Sequence, residues 1–384
     1  MSGGAREVGQ VARLFLKLGL IAFGGPAAHI ALMREEIVRR RRWVSDERFL
    51  DLVGMANLIP GPTSTEVSIY LGYVRAGWPG LIVAGVCFIV PAMLLVLALA
   101  WLYVRYGATP SAAAALYGIT PVIIAIVAQA LWALGRTAVK GPVLGAIGLA
   151  VLTLALAGLN VLVLLLGGGV MVMLLRAAPR ARVATATLLA TLAAPALAFG
   201  EAAGSKAAVA LGTLFLTFLK IGAVLYGSGY VLLAFLRSDF VDRLGWLTDR
   251  QLLDAVAVGQ FTPGPVFTTA TFIGYLLAGW PGALLATLAI FLPSFVLVAV
   301  SYPLLPHIRG SRWMSAFLDG VNVAAVGLMA AVTWQLARAA IVDVFTVVLA
   351  VVAAVLLLRT RLNSAWPVLG GATAGLLFRW VTAG

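Results

Sequence analysis

Charge is what this sequence has least of. Asp, Glu, Lys and Arg make up 11% of its 384 residues, against about 25% in a typical soluble domain, while apolar residues reach 62%. So few charges cannot solvate a globule of 40.1 kDa, and a disordered or nucleic-acid-binding polymer is excluded too, despite the net charge of +13. A single cysteine, Cys87, rules out a disulfide framework and a thiolate metal cluster. With two histidines, His29 and His307, neither an HExxH site nor a histidine metal cage can be built. The GxxxxGKS/T phosphate loop is missing, so no ATP motor is expected. The acids are few and scattered, which speaks against a membrane-embedded enzyme needing convergent carboxylates or a nucleophile–base pair. What remains is an all-α, polytopic membrane protein.

A helix crosses the hydrocarbon with about 20 apolar residues. Runs of that kind fall at 12–33, 49–76, 80–104, 112–135, 142–158, 159–176, 183–199, 207–236, 252–278, 282–306, 315–337, 341–358 and 366–381. About thirteen transmembrane segments are therefore expected, joined by short loops.

An internal duplication organises them. Phe15-Leu16-Lys17-Leu18-Gly19 recurs as Phe218-Leu219-Lys220-Ile221-Gly222, and at the same offset Arg34, Trp43, Asp46 and Asp51 match Arg237, Trp246, Asp249 and Asp254. Pro60-Gly61-Pro62 matches Pro263-Gly264-Pro265. After a one-residue slip, Gly77-Trp78-Pro79-Gly80 matches Gly279-Trp280-Pro281-Gly282, and Pro91 matches Pro293. The chain divides into a first repeat over 1–182, a linking transmembrane segment over 183–206 and a second repeat over 207–384. Seven segments separate the repeat starts, so the second repeat is expected to be inverted. Basic residues favour a cytoplasmic N-terminus, except for Arg34, Arg39 to Arg42 and Arg48, which that count leaves outside. If 49–76 re-entered instead of crossing, the cluster would return inside and the halves would be parallel.

The apolar segments are interrupted at matching places. The first helix of each half carries a small-residue patch, Gly24-Gly25-Pro26 or Gly227-Ser228-Gly229. Each second segment carries Pro-Gly-Pro, preceded by an amide (Asn57 or Gln260) and followed by hydroxyls (Thr63, Ser64 and Thr65, or Thr268, Thr269 and Thr271). Proline removes a backbone donor and blocks the preceding turn, so neither helix continues through the motif. In lipid such backbone is tolerated inside protein or beside a wet cavity. The second proline suits the first turn of a new helix, whose free N–H groups and positive dipole end can hold an anion. Paired broken helices in a duplicated membrane protein point to a substrate site.

Lys17 and Lys220 are two of only four lysines and occupy equivalent places, either snorkelling or facing a cavity as ammonium groups. Glu66, which has no acidic counterpart, is a candidate for proton coupling or for an ion pair. Asp51 and Asp254 read as helix caps, and Arg34 and Arg237 as interfacial residues.

These residues resemble the chromate ion transporter family in its long form with two homologous halves. The resemblance rests on FLKLGLIAFGGP (Phe15 to Pro26), the stretch Trp43 to Pro62 ending in NLIPGP, and GYVRAGWPG (Gly72 to Gly80), with FLKIGAVLYGSG, QFTPGP and GYLLAGWPG in the second half. It implies a multi-pass exporter of chromate in the bacterial cytoplasmic (inner) membrane, conferring resistance, with about thirteen helices and antiparallel halves. By resemblance, Lys17, Gly24, Gly25, Pro60, Gly61, Pro62 and Glu66 carry over as site residues. The second half departs at Ser228 and Gly229, where the first has Gly25 and Pro26.

The expected function is secondary transport of a tetrahedral oxyanion dianion. Backbone N–H groups at Pro60-Gly61-Pro62 and Pro263-Gly264-Pro265 would cradle it, with Lys17, Lys220, Gly24, Gly25, Gly227, Ser228, Asn57, Gln260, Thr63, Ser64 and Thr268 around it. A sulfate importer or an oxyanion channel is the alternative on the same site. Expected partners are chromate, sulfate and membrane lipid, with no cofactor, metal or nucleic acid; a homodimer is one admissible assembly.

Overall fold

The computed structural model describes residues 2–177, 209–226, 229, 231–308, 312–360 and 363–383, and among them the chain is helical with no strand. The expected linking segment 183–206 lies outside the described residues. The first half runs α1 (Ser2–Ile21), α2 (Gly25–Met33) with a π-helical extension (Arg34–Arg40), α3 (Asp46–Ala56), α4 (Thr63–Tyr106), α5 (Pro110–Ala138), α6 (Pro142–Leu156) and α7 (Val161–Ala177). The second repeats that order. It runs α8 (Leu211–Val224), α9 (Leu232–Leu236) with a π-helical extension (Arg237–Arg243), α10 (Asp249–Phe261), a short 3-10 turn (Val266–Thr268), α11 (Thr269–Ile308), α12 (Arg312–Ala340), α13 (Val344–Arg359) and α14 (Ala365–Ala383).

α4 is not one rod. Ala76 and Gly77 leave helical geometry, with Gly77 at φ 61°, and Ala278 and Gly279 do the same in α11, with Gly279 at φ 62°. Glycine tolerates that left-handed turn, and the following Trp-Pro opens a new helix with proline in its first turn. A side chain on Gly85 would meet Ile69 at 2.9 Å. Residues sixteen apart in a straight helix lie about 24 Å apart. The chain therefore reverses at Gly77, and residues 63–75 pack antiparallel to residues 78–106. Thr271 and Thr287 share a hydrogen bond of 2.7 Å across the matching reversal in α11.

The first expected segment, 12–33, is not a single crossing either. Lys17 Nζ stands 2.7 Å from Glu36 Oε1, and Gln10, Arg13, Lys17, Arg41 and Trp43 line one cavity. α1 therefore runs to Ile21, breaks, and returns through α2. The segment 49–76 also comes back: α3 starts beyond Trp43, and the Arg75 guanidinium lies 5.2 Å from the Trp43 ring. α3, of 11 residues, and the 13-residue arm 63–75 each span about 16–20 Å, roughly half a hydrocarbon core. In the second half Lys220 Nζ reaches Asp239 Oδ1 at 2.6 Å, so 207–236 doubles back in the same way. The count of thirteen crossings is revised accordingly. Pro-Gly-Pro and Gly-Gly-Pro do more than kink helices; they turn them around.

Among the described residues, four helical segments are long and apolar enough to cross a membrane: Thr63–Tyr106, Pro110–Ala138, Val266–Pro303 and Trp313–Ala340. Their outer faces expose Trp78, Trp101, Trp132, Trp280 and Trp334 along with Leu94, Val104, Leu284, Leu288 and Val300. Surface so continuously apolar, with tryptophans among it, is at home in lipid and its interfaces.

The halves interlock. α5 of the first packs on α13 and α14 of the second, while α12 of the second packs on α6 and α7 of the first. Small residues bring the backbones together: a side chain on Gly118 would stand 2.8 Å from Gly375 N, and one on Gly320 would stand 2.8 Å from Gly169 Cα. Close backbone approach through glycine is the usual device of helix packing in lipid. The long arms also end beside the other half's turned helices. Tyr302 lies 4.6 Å from Tyr73 between ring centroids, and Tyr103 donates a hydrogen bond of 2.8 Å to Asp254.

Candidate substrate site at the converging helix breaks

Two hydrogen bonds define the centre of the molecule. Gly61 N–H donates to Leu225 O at 2.7 Å, and Gly264 N–H donates to Ala22 O at 2.8 Å. Each Pro-Gly-Pro thus docks on the interrupted first helix of the other half, where Ala22 and Leu225 are equivalent positions. An opened carbonyl in one break receives the freed amide of the other, which is how irregular backbone survives away from water. The central glycines have φ of 136° (Gly61) and 94° (Gly264), a region costly for any residue with a Cβ.

This geometry changes the role of the motifs. The Gly61 and Gly264 amides are spent on joining the halves. At the start of α4, Thr65 N and Glu66 N bond Pro62 O, so the amides of Thr63 and Ser64 are the ones with no partner inside the helix. In the second half Thr268 N and Thr268 Oγ1 both bond Pro265 O.

The two breaks are chemically unequal. Over Gly61 lie the Glu66 carboxyl and the Ser294 hydroxyl: a side chain on Gly61 would overlap the former and stand 2.7 Å from the latter. Over Gly264 lies Ala92, whose Cβ would be 2.7 Å away. Ala92 is the repeat counterpart of Ser294, and Thr268 and Thr269 occupy the turn corresponding to Glu66. Glu66, Thr65 and Ser294 are fully buried. Both Glu66 oxygens, Thr65 Oγ1 and Ser294 Oγ have no partner in hydrogen-bond geometry among the described residues. At the other contact, His29 Nε2 lies 3.0 Å from Ala22 O, the acceptor of Gly264 N–H, which fixes that nitrogen as the protonated one, and Nδ1 is left as an unpartnered acceptor. Leu232 replaces His29 in the second half. The first break is also the more open one: Asn57 is exposed and Pro60 half-buried, whereas Gln260 and Pro263 are buried.

The other candidates divide into groups. Gly24 (φ 100°) and Gly25 (φ 77°) form the first interruption directly. Gly227 and Ser228 lie outside the described residues. Lys17 and Lys220 are each tied to an acid on the π-helical extension of their own half, Glu36 and Asp239, and these acids also receive Arg41 and Arg243. They are members of ion clusters one turn short of the breaks. Arg34 and Arg237 hold Asp46 and Asp249 at 2.6 and 2.9 Å, clamping the start of α3 and α10. The capping reading of Asp51 and Asp254 is corrected: Ser45 and Thr248 cap these helices, Asp51 lies inside α3, and Asp254 lies inside α10 accepting from Tyr103. Ser294 was not expected at the first break, nor His29 at the Gly264–Ala22 contact. The exchange of alanine for serine after the matched prolines was the signal for Ser294.

A duplicated bundle of apolar helices whose broken segments meet at one buried, partly polar point defines a multi-pass membrane protein of transporter type. The chain belongs to the chromate transporter family, which it matches twice, over residues 9–173 and 212–376. It is similar to a probable chromate transport protein of Synechococcus elongatus (35% identity over 91% of this chain and 89% of the relative). Chromate transport proteins of Cupriavidus metallidurans (35%, covering 96% and 92%) and Pseudomonas aeruginosa (35%, covering 86% and 81%) are similar as well. No solved structure matches this one.

Proposed function

We propose that the chain is a secondary transporter that exports chromate across the bacterial cytoplasmic membrane and thereby confers chromate resistance. The observation that carries this reading is the meeting of helix breaks from both halves at the Gly61–Leu225 and Gly264–Ala22 hydrogen bonds, in a chain of the chromate transporter family. The oxyanion sits at the first break. The free amides of Thr63 and Ser64 and the hydroxyls of Thr65 and Ser294 donate to it, and Gly24, Gly25 and Asn57 shape the approach.

The halves insert with opposite orientation. Tyr73, at the returning end of the first half's hairpin, touches Tyr302, about 33 Å along the helix from Trp280 at that arm's start. The second half's hairpins therefore enter from the far face. With both 12–33 and 49–76 doubling back, Arg34, Arg39 to Arg42 and Arg48 join Arg6 and Arg13 on the N-terminal side. The positive-inside rule then places that side in the cytoplasm. Among the first half's described residues, Arg105, at the end of α4, is the one basic residue left on the outer side.

A membrane potential, negative inside, favours exit of a dianion by about 4.6 kcal/mol per 100 mV, and by about 2.3 kcal/mol when one proton leaves with it. Glu66 carries a proton in this cycle. An ionised, unpartnered carboxylate beside a dianion is doubly unfavourable in a site of low dielectric, so anion and proton occupy the site together.

Uptake of radiolabelled chromate into inverted membrane vesicles tests the reading. Accumulation driven by a lumen-positive potential, and reduced by excess sulfate if sulfate shares the site, is expected. Absence of potential-dependent accumulation contradicts it.

A further inference from the structure

Away from the breaks, a cavity of about 440 Å³ is lined by Gln10, Arg13, Leu14, Lys17, Arg41 and Trp43. Arg13 and Lys17 stand four residues apart on one face of α1, a spacing at which like charges destabilise a helix. Glu36 is the carboxylate behind them, and it is shared by Lys17, Arg40 and Arg41. Arg13 has no ion pair among the described residues. The cations thus outnumber the acid. Gln10 receives a hydrogen bond of 2.9 Å from Arg75 on its side-chain oxygen, which leaves its NH₂ group as the free, donating end. Arg75 also covers the Trp43 ring and pairs with Glu7 at 3.4 Å. The wall is therefore fixed in place and lined by donors.

The duplication supplies an internal control. At the positions matching Arg13, Arg41 and Arg75 the second half has Leu216, Leu244 and Leu277, and Thr213 replaces Gln10. The scaffold beneath is unchanged: Lys220 pairs with Asp239, which also receives Arg243, and Trp246 matches Trp43. The fold does not require these cations, because the second copy forms the same hairpin with leucine in each place.

We propose that this cavity is an oxyanion-binding vestibule on the N-terminal face, in which Arg13, Lys17, Arg41 and Gln10 bind a free tetrahedral dianion before it reaches the first break. Lys17 lies five residues before Ala22, about 7.5 Å along the helix axis from the interruption. Guanidinium groups suit such an ion because they offer paired, charge-assisted donors. The second half carries leucine at the positions matching Arg13 and Arg41, so the dianion is collected at one mouth and released at the other. This rests on the oxyanion-transport reading.

Equilibrium binding of radiolabelled sulfate and chromate to the purified full chain is the test, with chromate flux in proteoliposomes measured alongside. Arg13→Leu/Arg41→Leu, which copies the second half, is expected to weaken binding at least about tenfold and to raise KM while leaving the maximal flux in place. Arg39→Leu, outside the cavity, should behave as wild type. Arg13→Gln alone, which breaks no ion pair, should weaken binding severalfold and serves if the double variant is unstable. Wild-type binding in these variants, even with altered membrane orientation, would overturn the vestibule. Loss of co-purifying phosphatidylglycerol with sulfate binding unchanged would mark a lipid-phosphate site and overturn it as well. Chromate binding that depends on Arg13 and Arg41 without any flux would uphold the vestibule and refute only the transport reading.

Discussion

Glu66 is a fully buried acid set against the central glycine of a helix break, with Ser294 from the other half beside it. Its proposed task separates from its shape by one substitution. Glu66→Gln keeps the volume and should still carry chromate, but the proton movement that accompanies wild-type flux, read by a pH dye inside proteoliposomes, should vanish. An undiminished proton signal in that variant would contradict the assignment. Gly61 is constrained differently. Its φ of 136° and the overlap a Cβ would have with Glu66 predict that Gly61→Ala costs about 2–4 kcal/mol, visible as a lower melting temperature. At this scale the sequence was partly legible. The Pro-Gly-Pro pair, the lysines and Glu66 all announce themselves as oddities in apolar segments. That Lys17 bonds Glu36 and Lys220 bonds Asp239 does not, because the pairing depends on a chain reversal invisible to hydropathy.

Among the elements, the turned helices matter most. Apolar periodicity reads 12–33 and 49–76 as crossings because each has enough apolar residues to span lipid, and length alone cannot distinguish one crossing from two half-crossings. The reversals at Gly77 and Gly279 were legible as Gly-Trp-Pro-Gly in both halves, though only as helix ends. Helix contacts between halves carry their own prediction. Gly118 faces Gly371 and Gly375, and Gly320 faces Gly168 and Gly169. Valine at either site would wedge apart backbones that now touch. Gly118→Val and Gly320→Val should each destabilise by about 1–3 kcal/mol, and to similar extents, since they occupy equivalent contacts. A large effect at one site and none at the other, in thermal unfolding of the detergent-solubilised protein, would show that the interlock is not reciprocal.

For the whole molecule, the duplication is structural before it is chemical. The halves exchange helices, α5 lying on α13 and α14 and α12 on α6 and α7, and they exchange hydrogen bonds at the breaks. Neither half closes its own core. Residues 1–182 expressed alone should therefore be degraded, and co-expression with 207–384 should restore both pieces, as immunoblots of membranes would reveal. Stable accumulation of either piece by itself would count against the interlock. The repeat and its approximate offset were plain in the sequence, and so was the family. The chemical inequality was not, because it lies in pairs such as Glu66 with Thr268 and Thr269, and Ser294 with Ala92, which fall at one place only once the two halves are packed.

That inequality is also where the account is most exposed. Glu66→Thr/Ser294→Ala gives the first break the residues that the second already carries, so the fold has a precedent for them. Chromate flux through this variant in proteoliposomes, at clamped potential, is the direct measurement. The account predicts a fall of at least about thirtyfold, the loss of two groups worth some 1–3 kcal/mol each at the site, with melting temperature near wild type. Flux at the wild-type rate would place the substrate path elsewhere.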